Sequence, residues 1–204
     1  MTGLISRLLV PGLSGAEIWD EGQAVNLHPD ERVHVVRSAE KRRREFALGR
    51  ACARAALAGL GHGEAVIAKG DEGAPIWPAG IVGSITHTKD YAAAVAGERC
   101  RFTGVGIDAE RKGGVTPQLW PRLFTPTEQE ALRARPDPSL AATLFFSAKE
   151  ASYKAWGLKG APVFRAIEIA LKQDSFVATG PAASLKGRHA VEGDLVLVIA
   201  WRGG

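Results

Sequence analysis

The sequence predicts an α+β fold made of two halves of similar size, from its length, its composition and the order of its predicted elements. A chain of 204 residues is the size of one compact domain, or of two small ones that share a core. Its 46% hydrophobic and 24% charged residues are typical of a folded globular protein and exclude a disordered or fibrous chain. Helical and strand patterns occur in both halves, so we place the boundary between residues 1–102 and 103–204 of one integrated unit.

The first half is predicted to contain a long helix and a hairpin after an extended, loop-like start. These elements are expected at about 39–60, 81–87 and 91–97. Phe46 and Leu57 lie on one apolar face at helical spacing. Ser38 is placed as the N-cap, and Gly61 as the residue that closes the helix.

The second half is predicted to contain a strand, two helices and three further strands. These elements are expected at about 101–110, 127–135, 139–156, 166–172, 175–179 and 194–201. Thr127 and Glu130 have the spacing of a capping box, which predicts where the first of these helices begins. Pro136 ends that helix and Gly157 ends the longer one.

Basic residues are concentrated in one segment of the chain. Residues 32–54 carry eight basic and two acidic side chains, a local charge of +6 in a chain whose formal charge is +4. The rest of the chain is therefore net acidic. Such a patch indicates an anionic partner, which could be a nucleic-acid backbone, a membrane surface, an acidic protein or the phosphates of a nucleotide.

The cysteines and the apolar runs point to a cytoplasmic protein. Two cysteines, Cys52 and Cys100, are too few for a disulfide framework and lack the spacing of a zinc site. The apolar run at the N-terminus has no basic region before it and is broken by Pro11 and Gly12, unlike a secretory signal. No stretch approaches the roughly 18 apolar residues of a membrane span.

Two carboxylates stand at the end of the strand predicted over 101–110. Asp108 and Glu110 are two residues apart, so they project from one face of the strand while Ile107 and Ala109 face the core. Two neighbouring carboxylates repel one another unless a cation lies between them, and oxygen ligands suit Mg²⁺. The pattern also fits a solvated strand end, and the spacing alone leaves both interpretations open.

The long helix predicted over 139–156 carries a second group of charges. Glu150 and Lys154 are spaced i, i+4 and therefore share a face. A surface ion pair is one interpretation. The nearby aromatic residues Phe145 and Trp156 indicate a covered face, where charges need a partner or a function.

A third pattern, GSITH at residues 83–87, lies where a predicted strand runs into a turn. Ser84 and Thr86 share one face of that strand. His87 fits either a packed structural ring or a contact with a phosphate. The pattern does not decide between these two roles.

Five blocks together resemble the phosphopantetheinyl transferases of the surfactin- and enterobactin-synthetase type: KRRREFALGRACAR, KGDEGAPIWP, GSITHT, VGIDAE and FSAKEASYKAW. Their order and spacing match over about residues 38–158, whereas each block alone is a weak signal. The resemblance implies two pseudo-symmetric α/β halves with coenzyme A in the cleft between them. It implies Mg²⁺-dependent transfer of the 4′-phosphopantetheine arm to a serine of an apo acyl or peptidyl carrier protein, with release of adenosine 3′,5′-bisphosphate.

The resemblance also implies roles for the acidic residues. Asp108, Glu110 and Glu150 are expected to ligate Mg²⁺, with the backbone carbonyl of Ala109 close by. Glu150 is expected to act as the general base, directly or through a metal-bound water. Lys154 is expected to contact the pyrophosphate and to stabilise the leaving bisphosphate.

The same resemblance implies a larger set of coenzyme A contacts: Arg42, Arg50, Lys69, Gly70, Asp71, Glu72, Thr86, His87, Asp108, Lys149 and Lys154. The first three are expected on the 3′-phosphate and adenosine side, with residues 70–72 against the nucleotide. Thr86 and His87 are expected near the pyrophosphate and the 3′-phosphate. On an ideal helix Arg42 and Arg50 point about 80° apart, but the first turn of a helix leaves a long side chain more freedom.

Two other functions remain open on the sequence alone. One is a nucleic-acid-binding module that uses the basic segment 32–54. The other is a Mg²⁺-dependent hydrolase of coenzyme A that turns the same carboxylates on water. For the transferase we expect coenzyme A and an acidic carrier protein as partners, no nucleic acid, a monomer, and Arg43, Arg44 and Arg54 as a solvated basic face open to the carrier. Which carrier is modified, whether of fatty-acid, polyketide, siderophore or other peptide synthesis, stays open.

Overall fold

The computed structural model describes residues 3–63, 65–70, 73–158, 164–180 and 182–203. The strands in this part of the chain are β1 (Leu13–Trp19), β2 (Ile81–Thr88), β3 (Tyr91–Glu98), β4 (Phe102–Arg111), β5 (Glu168–Leu171), β6 (Ser175–Thr179), β7 (Leu185–Glu192) and β8 (Leu195–Gly203). The α-helices are α1 (Pro29–Arg32), α2 (Glu40–Ala58), α3 (Trp120–Leu123), α4 (Pro126–Arg133) and α5 (Pro138–Trp156). The strands form two antiparallel sheets, so the predicted α+β class is confirmed.

The first sheet has three strands in the order β1, β3, β2. The hairpin of β2 and β3 pairs Thr88 with Tyr91 beside its turn. Helix α2 packs on this sheet through a core that includes Cys52 and Leu57 from the helix and Ala94 from β3. The alanines of β3 are small, so the helix can lie close to the sheet.

The second sheet has five strands in the order β4, β8, β7, β6, β5, and helix α5 packs on it. Two glycines of β4 allow the helix to approach. A Cβ on Gly106 would lie 1.9 Å from the backbone oxygen of Ala151, and a Cβ on Gly104 would lie 1.9 Å from that of Ala155. Any side chain at either position would therefore push α5 away from the strand that carries Asp108.

The two sheets meet along β2 and β4. One hydrophobic cluster contains Val82 and Tyr91 from the first sheet together with Ile107 and Leu197 from the second. At the same junction, the hydroxyl oxygen of Thr86 on β2 accepts a hydrogen bond of 3.0 Å from the backbone N–H of Ala109 on β4. The two sheets therefore share a core, and the chain passes from the first sheet to the second between β3 and β4.

The capping residues differ from those predicted. Helix α2 has Ala39 as its N-cap without a side-chain hydrogen bond, so the assignment of Ser38 was wrong. The capping box of α4 is formed by Thr125 and Glu128, two residues earlier than predicted, because Pro126 takes the first helical position and needs no N–H acceptor there. Both long helices otherwise begin and end within two residues of the predicted bounds.

Strands β1 and β7 were absent from the predicted element order. Strand β1 lies at one edge of its sheet, and its sequence LSGAEIW mixes small, polar and apolar residues without a clean alternation. In β7, basic residues at positions 186 and 188 interrupt the apolar pattern. None of the helices in the described part of the chain has the length and apolarity needed to cross a membrane.

Candidate active site

Both halves contribute walls to a cavity of about 460 Å³ at the junction of β2 and β4. Gly83 lines it from β2, Gly104 from β4, and Lys154 and Trp156 from α5. Lys154 also reaches the carboxylate of Asp108. Lys154 therefore connects the wall of the cavity to Asp108, one of the acidic residues that the sequence singled out.

Asp108 is fixed to helix α5 by two side chains. Its side chain is almost fully buried. One carboxylate oxygen accepts a hydrogen bond of 2.8 Å from the hydroxyl of Ser147, and the other accepts one of 2.8 Å from the ammonium of Lys154. Lys154 also donates to the backbone oxygen of Ile107 at 3.1 Å. Strand β4 and helix α5 are thus joined at the acidic end of the junction.

Glu110 and Glu150 lie in the electrostatic range of Asp108. Burial, together with the charges of Asp108 and Glu150 and against the lowering effect of Lys154, raises the pKa of Glu110 to about 7. Burial and the charge of Asp108 likewise raise the pKa of Glu150, against the lowering effect of Lys154. When all three carboxylates are ionised, they share the single ammonium of Lys154 and keep an excess negative charge.

Lys154 responds to the same charges. Burial opposes its protonated form, but the carboxylate of Asp108, which both pairs with it and accepts its hydrogen bond, outweighs burial and raises its pKa, with help from Glu150 and Glu110. Its side chain is 31% exposed. Lys154 is therefore a charged ammonium that borders the cavity.

The donor set suits a hard divalent cation, although the side chains are not yet arranged around one. Three carboxylates with an excess of negative charge provide the oxygen ligands that Mg²⁺ prefers. Across the described ranges of the chain, no three His, Cys, Asp or Glu side chains are arranged as a ready metal site. The chemistry of Asp108, Glu110 and Glu150 fits the metal, and the geometry of their coordination stays a prediction.

His87 and Arg42 lie together at the end of β2. A guanidinium nitrogen of Arg42 is 3.1 Å from Nε2 of His87, and the carboxylate of Glu45 is 3.6 Å from Arg42 and 3.9 Å from His87. Burial lowers the pKa of His87, Glu45 raises it, and the charges of Arg42 and Lys154 lower it. The structure therefore brings Arg42 of α2 to the end of β2, despite the angle that separates it from Arg50.

Arg50 points into the protein instead of into the cavity. Only 4% of it is exposed. Its Nε–H donates to the backbone oxygen of Ile67 at 2.7 Å, and its guanidinium stacks 4.2 Å from the ring centre of Phe46. Burial lowers its pKa to about 10. Its predicted contact with the 3′-phosphate stays a prediction, and its visible partners are backbone groups.

Lys69 and Gly70 lie in a turn that follows Ile67. The side chain of Lys69 is exposed, and its backbone N–H donates to Nε2 of His34 at 3.3 Å. The N–H of Gly70 donates to the backbone oxygen of Ala74 at 2.8 Å. Two further predicted contacts, Asp71 and Glu72, lie outside the described residues.

Lys149 does not reach the cavity, so we correct the prediction that it contacts the substrate. It is fully buried, and its ammonium donates to Glu128 at 2.7 Å and to the backbone oxygens of Leu123 and Phe164 at 3.1 and 3.0 Å. An ammonium has three N–H donors, so no donor remains for a phosphate. Lys149 ties α5 to the segments around it.

Thr86 is also more buried than its predicted role suggests. It is 4% exposed, and its hydroxyl oxygen is occupied by the N–H of Ala109. Thr86 thereby places the strand that carries Asp108 beside β2. Its contact with a phosphate stays a prediction.

Sequence reasoning missed Ser147 and Glu45. Ser147 is fully buried in a helix rich in aromatic residues, and a polar residue at such a position signals a buried partner, which is Asp108. Glu45 is the acid within a basic stretch, and Arg42 and Lys41 both lie within 4 Å of it. The spacing of residues along the sequence could not by itself identify the partner of Ser147 or the partners of Glu45.

The basic segment 32–54 is partly neutralised by carboxylates around it. Arg44 pairs with Asp20, Arg54 with Glu31, and Arg43 with Glu40. These three arginines were predicted to form a solvated face. Two of their partners come from outside the segment, so the count of charges within it overstated the surface that it offers to an anion.

The chain matches two family models and several known proteins. The model of the 4′-phosphopantetheinyl transferase N-terminal domain matches residues 30–97, and that of the 4′-phosphopantetheinyl transferase superfamily matches residues 104–198. The 4′-phosphopantetheinyl transferase PptT of Mycobacterium tuberculosis is 36% identical over 204 residues, which cover 91% of this chain and 90% of that protein. The 4′-phosphopantetheinyl transferase Npt of Nocardia iowensis is 41% identical over 153 residues, 75% of this chain and 69% of that protein.

Two further similarities cover less of the chain. Enterobactin synthase component D of Escherichia coli is 38% identical over 121 residues, 58% of this chain and 56% of that protein. Among solved structures, the holo-[acyl-carrier-protein] synthase of Neisseria meningitidis covers 49% of this chain and 97% of its own, at 21% identity and a TM-score of 0.43.

The chain belongs to the 4′-phosphopantetheinyl transferase superfamily. Within it, the chain is an enzyme of the two-domain type, a phosphopantetheinyl transferase that activates carrier proteins. The family to which the five sequence blocks pointed is thereby confirmed.

Proposed function

We propose that the transfer takes place at the junction of β2, β4 and α5, where Asp108, Glu110, Glu150 and Lys154 converge. The observation that carries this proposal is the joint of Asp108 with Lys154 and Ser147, because it gathers a group of acids and one ammonium at the meeting of the two halves. An oxygen of the carrier serine forms a bond to the β-phosphorus of coenzyme A. The bond from that phosphorus to the bridging oxygen breaks, and its electron pair leaves with adenosine 3′,5′-bisphosphate.

Mg²⁺ is the metal that the carboxylates of Asp108, Glu110 and Glu150 would hold, with the backbone carbonyl of Ala109 nearby. When bound, it neutralises the pyrophosphate and the charge that develops on the leaving group. The excess negative charge of the three carboxylates supports this assignment. Binding of the metal and binding of coenzyme A would also be coupled, because the pyrophosphate would supply further oxygen ligands.

Glu150 is the general base in this proposal. It lies on the helix that also presents Lys154, it is half-buried, and a carboxylate there can take the proton of the carrier serine as its oxygen attacks. Asp108 is less suited to that role, because Ser147 and Lys154 already donate to both of its oxygens.

Lys154 stabilises the negative charge of the pyrophosphate and of the leaving bisphosphate. Two of the three N–H groups of its ammonium are accounted for by Asp108 and by the backbone of Ile107. Its side chain borders the cavity and is partly exposed. A preorganised charged donor at that position is worth most in the transition state.

Arg42 and His87 take the 3′-phosphate side of coenzyme A. They contact one another at the end of β2 and both keep part of their surface exposed. Lys69 and Gly70 take the nucleotide side from the turn that follows Ile67, and Arg50 supports that turn from beneath. Lys149 is no longer assigned to the substrate.

The arrangement of helices supports two pseudo-symmetric halves with a cleft between them. Helices α2 and α5 each have 19 residues, and each packs on one antiparallel sheet. The strands β2 and β4 at the junction come from different sheets. Coenzyme A would lie across this junction, with its nucleotide on the first half and its pyrophosphate on the second.

The test is the mass of a carrier protein after reaction. The full chain is incubated with coenzyme A, Mg²⁺ and each of a panel of apo carriers from fatty-acid, polyketide, siderophore and other peptide synthetases. We expect at least one carrier to gain the mass of the phosphopantetheine arm. No gain on any carrier, while a known transferase succeeds in parallel, would overturn the proposal.

Two control arms separate the other functions. Release of adenosine 3′,5′-bisphosphate in the absence of a carrier would identify a hydrolase. Inhibition of coenzyme A binding by duplex DNA, relieved steeply by salt, would identify a nucleic-acid module. The transferase predicts neither result.

A further inference from the structure

We propose that residues 28–34, which include helix α1, position the turn that binds coenzyme A, and that Glu31 and His34 are its positioning residues. The turn meant here consists of residues 68–70 and 73–76, and it carries Lys69 and Gly70. This inference rests on the proposed function, because it concerns how the nucleotide side of the same site is held in place.

Glu31 is a fully buried carboxylate with partners on three elements. One of its oxygens accepts a hydrogen bond of 3.1 Å from the backbone N–H of Ile67. The other accepts one of 3.2 Å from the N–H of His28 and pairs with Arg54 of α2. A buried carboxylate is costly unless such partners are present, so Glu31 fixes the position of Ile67 relative to both helices.

Two further side chains hold the residues that follow. Arg50 donates to the backbone oxygens of Ile67 and Ala68 at 2.7 and 3.4 Å. His34 accepts the backbone N–H of Lys69 at 3.3 Å. The backbone polar groups of three consecutive residues are therefore bonded to side chains of the N-terminal segment and of α2.

The turn then closes on itself. The N–H of Ile76 donates to the oxygen of Ala68 at 3.0 Å, and the N–H of Gly70 donates to the oxygen of Ala74 at 2.8 Å. These bonds hold residues 68–70 and 73–76 together, and the side chains that bond residues 67–69 help to locate them. Within the turn, Lys69 and Pro75 also form one isolated antiparallel bridge.

This arrangement predicts a selective kinetic effect. The turn faces the nucleotide in the proposed complex, whereas the proton transfer at Glu150 takes place on the other half. Loosening the turn should therefore weaken the binding of coenzyme A and leave the chemical step and the carrier site in place. Loss of one hydrogen bond to the backbone corresponds to roughly a three- to tenfold change in affinity.

His34→Ala tests the proposal, and His34→Gln is its conservative partner because the amide oxygen of glutamine can accept the N–H of Lys69. His62→Ala is the matched control, since His62 is an exposed histidine on the loop after α2. KM for coenzyme A, KM for the carrier and kcat are measured for each full-length variant, together with coenzyme A affinity by calorimetry. Glu31→Gln is added with its Tm, because it keeps the size of the side chain.

We expect His34→Ala to raise KM and Kd for coenzyme A by about three- to tenfold, with kcat and the KM for the carrier unchanged. His34→Gln should restore most of the affinity, and His62→Ala should behave as the wild type. Glu31→Gln should show the same selective rise whether or not its Tm falls. Wild-type coenzyme A affinity in His34→Ala, or a parallel change in all three constants, would overturn the positioning role. A wild-type chain that neither binds coenzyme A nor modifies a carrier would instead overturn the proposed function, and this inference with it.

Discussion

The two halves of the protein differ in how their charges are paired. In the first half, arginines of α2 have their own carboxylate partners, as in the pairs of Arg44 with Asp20 and Arg54 with Glu31. In the second half, three carboxylates share one ammonium, that of Lys154. The basic segment 32–54 is thus closer to neutral than its sequence suggests. The group of Asp108, Glu110 and Glu150 keeps more unpaired negative charge than its sequence suggests.

This difference teaches where the site is. Paired charges hold a structure in place, whereas an unbalanced group of charges in a cavity calls for a ligand of the opposite sign. The three carboxylates of the second half, Asp108, Glu110 and Glu150, provide the imbalance that a divalent cation would remove. In the first half, Arg42 contacts His87 at the end of β2, while Arg50 is used within the protein.

The sharpest way to break the comparison is to remove one charge of the acidic group. Asp108→Asn keeps the shape of the side chain but removes the charge that pairs with Lys154. We expect kcat/KM for coenzyme A to fall by about a hundredfold or more, with the fold retained by circular dichroism. Asp174→Asn, at an exposed position, is the control, and wild-type rates in Asp108→Asn would remove this residue from the site.

Lys149 offers a test of a paired charge within the second half. Lys149→Met leaves the carboxylate of Glu128 without its ammonium in a buried place, so we expect the free energy of unfolding to fall by about 3 kcal/mol. The measurement is urea unfolding, with the exposed Lys172→Met as the control. Removing both partners, in Lys149→Met with Glu128→Gln, should recover part of the loss. A stable Lys149→Met with a raised KM for coenzyme A would instead return Lys149 to the substrate site.

The arginines of α2 sharpen the comparison on the basic side. Arg42→Ala should raise the KM for coenzyme A roughly tenfold, because it removes a charged donor from the proposed site of the 3′-phosphate. Arg43→Ala should change it by less than about twofold, because Arg43 forms an exposed pair with Glu40. Initial rates over a range of coenzyme A concentrations give the KM of each variant. Equal effects of the two substitutions would contradict the distinction between Arg42 as a residue of the proposed site and Arg43 as a surface residue.

The smallest effect concerns the protonation of His87. Burial, together with the charges of Arg42 and Lys154, holds its pKa below the ordinary value against the opposing charge of Glu45. Arg42→Ala should therefore raise this pKa, since it removes a positive charge, and Glu45→Gln should lower it. An NMR titration of the imidazole measures both shifts, and a pKa that neither variant moves would show that these three residues do not interact.

Local patterns predicted most of the fold. Helical spacing gave α2 and α5 within two residues, and alternation along β4 correctly divided Asp108 from Ile107 and Ala109. Strands β1 and β7 could not be predicted in the same way, because they have partly exposed faces with mixed polarity. Strand β1 in addition pairs with β3, which lies far along the chain, whereas β7 pairs with its sequence neighbours β6 and β8.

The site was predictable where its chemistry lies in short motifs, and unpredictable where it depends on distant partners. The motif that contains Glu150 and Lys154 identifies one of the three carboxylates of the site and the ammonium that they share. The same motif suggested that Lys149 faces the substrate, but its ammonium is bonded to the backbone at Leu123 and Phe164. Contacts with backbone oxygens leave no trace in a sequence, and neither did the link from Glu31 to Ile67.

The most direct test of the account is the metal content of the protein with coenzyme A bound. The wild-type chain and Glu150→Gln are each dialysed to equilibrium against Mg²⁺, with and without coenzyme A, and the bound metal is counted per chain. The account predicts that the wild type retains Mg²⁺ more tightly when coenzyme A is present and that Glu150→Gln loses this retention. Equal retention by both proteins, or none by the wild type, would contradict it.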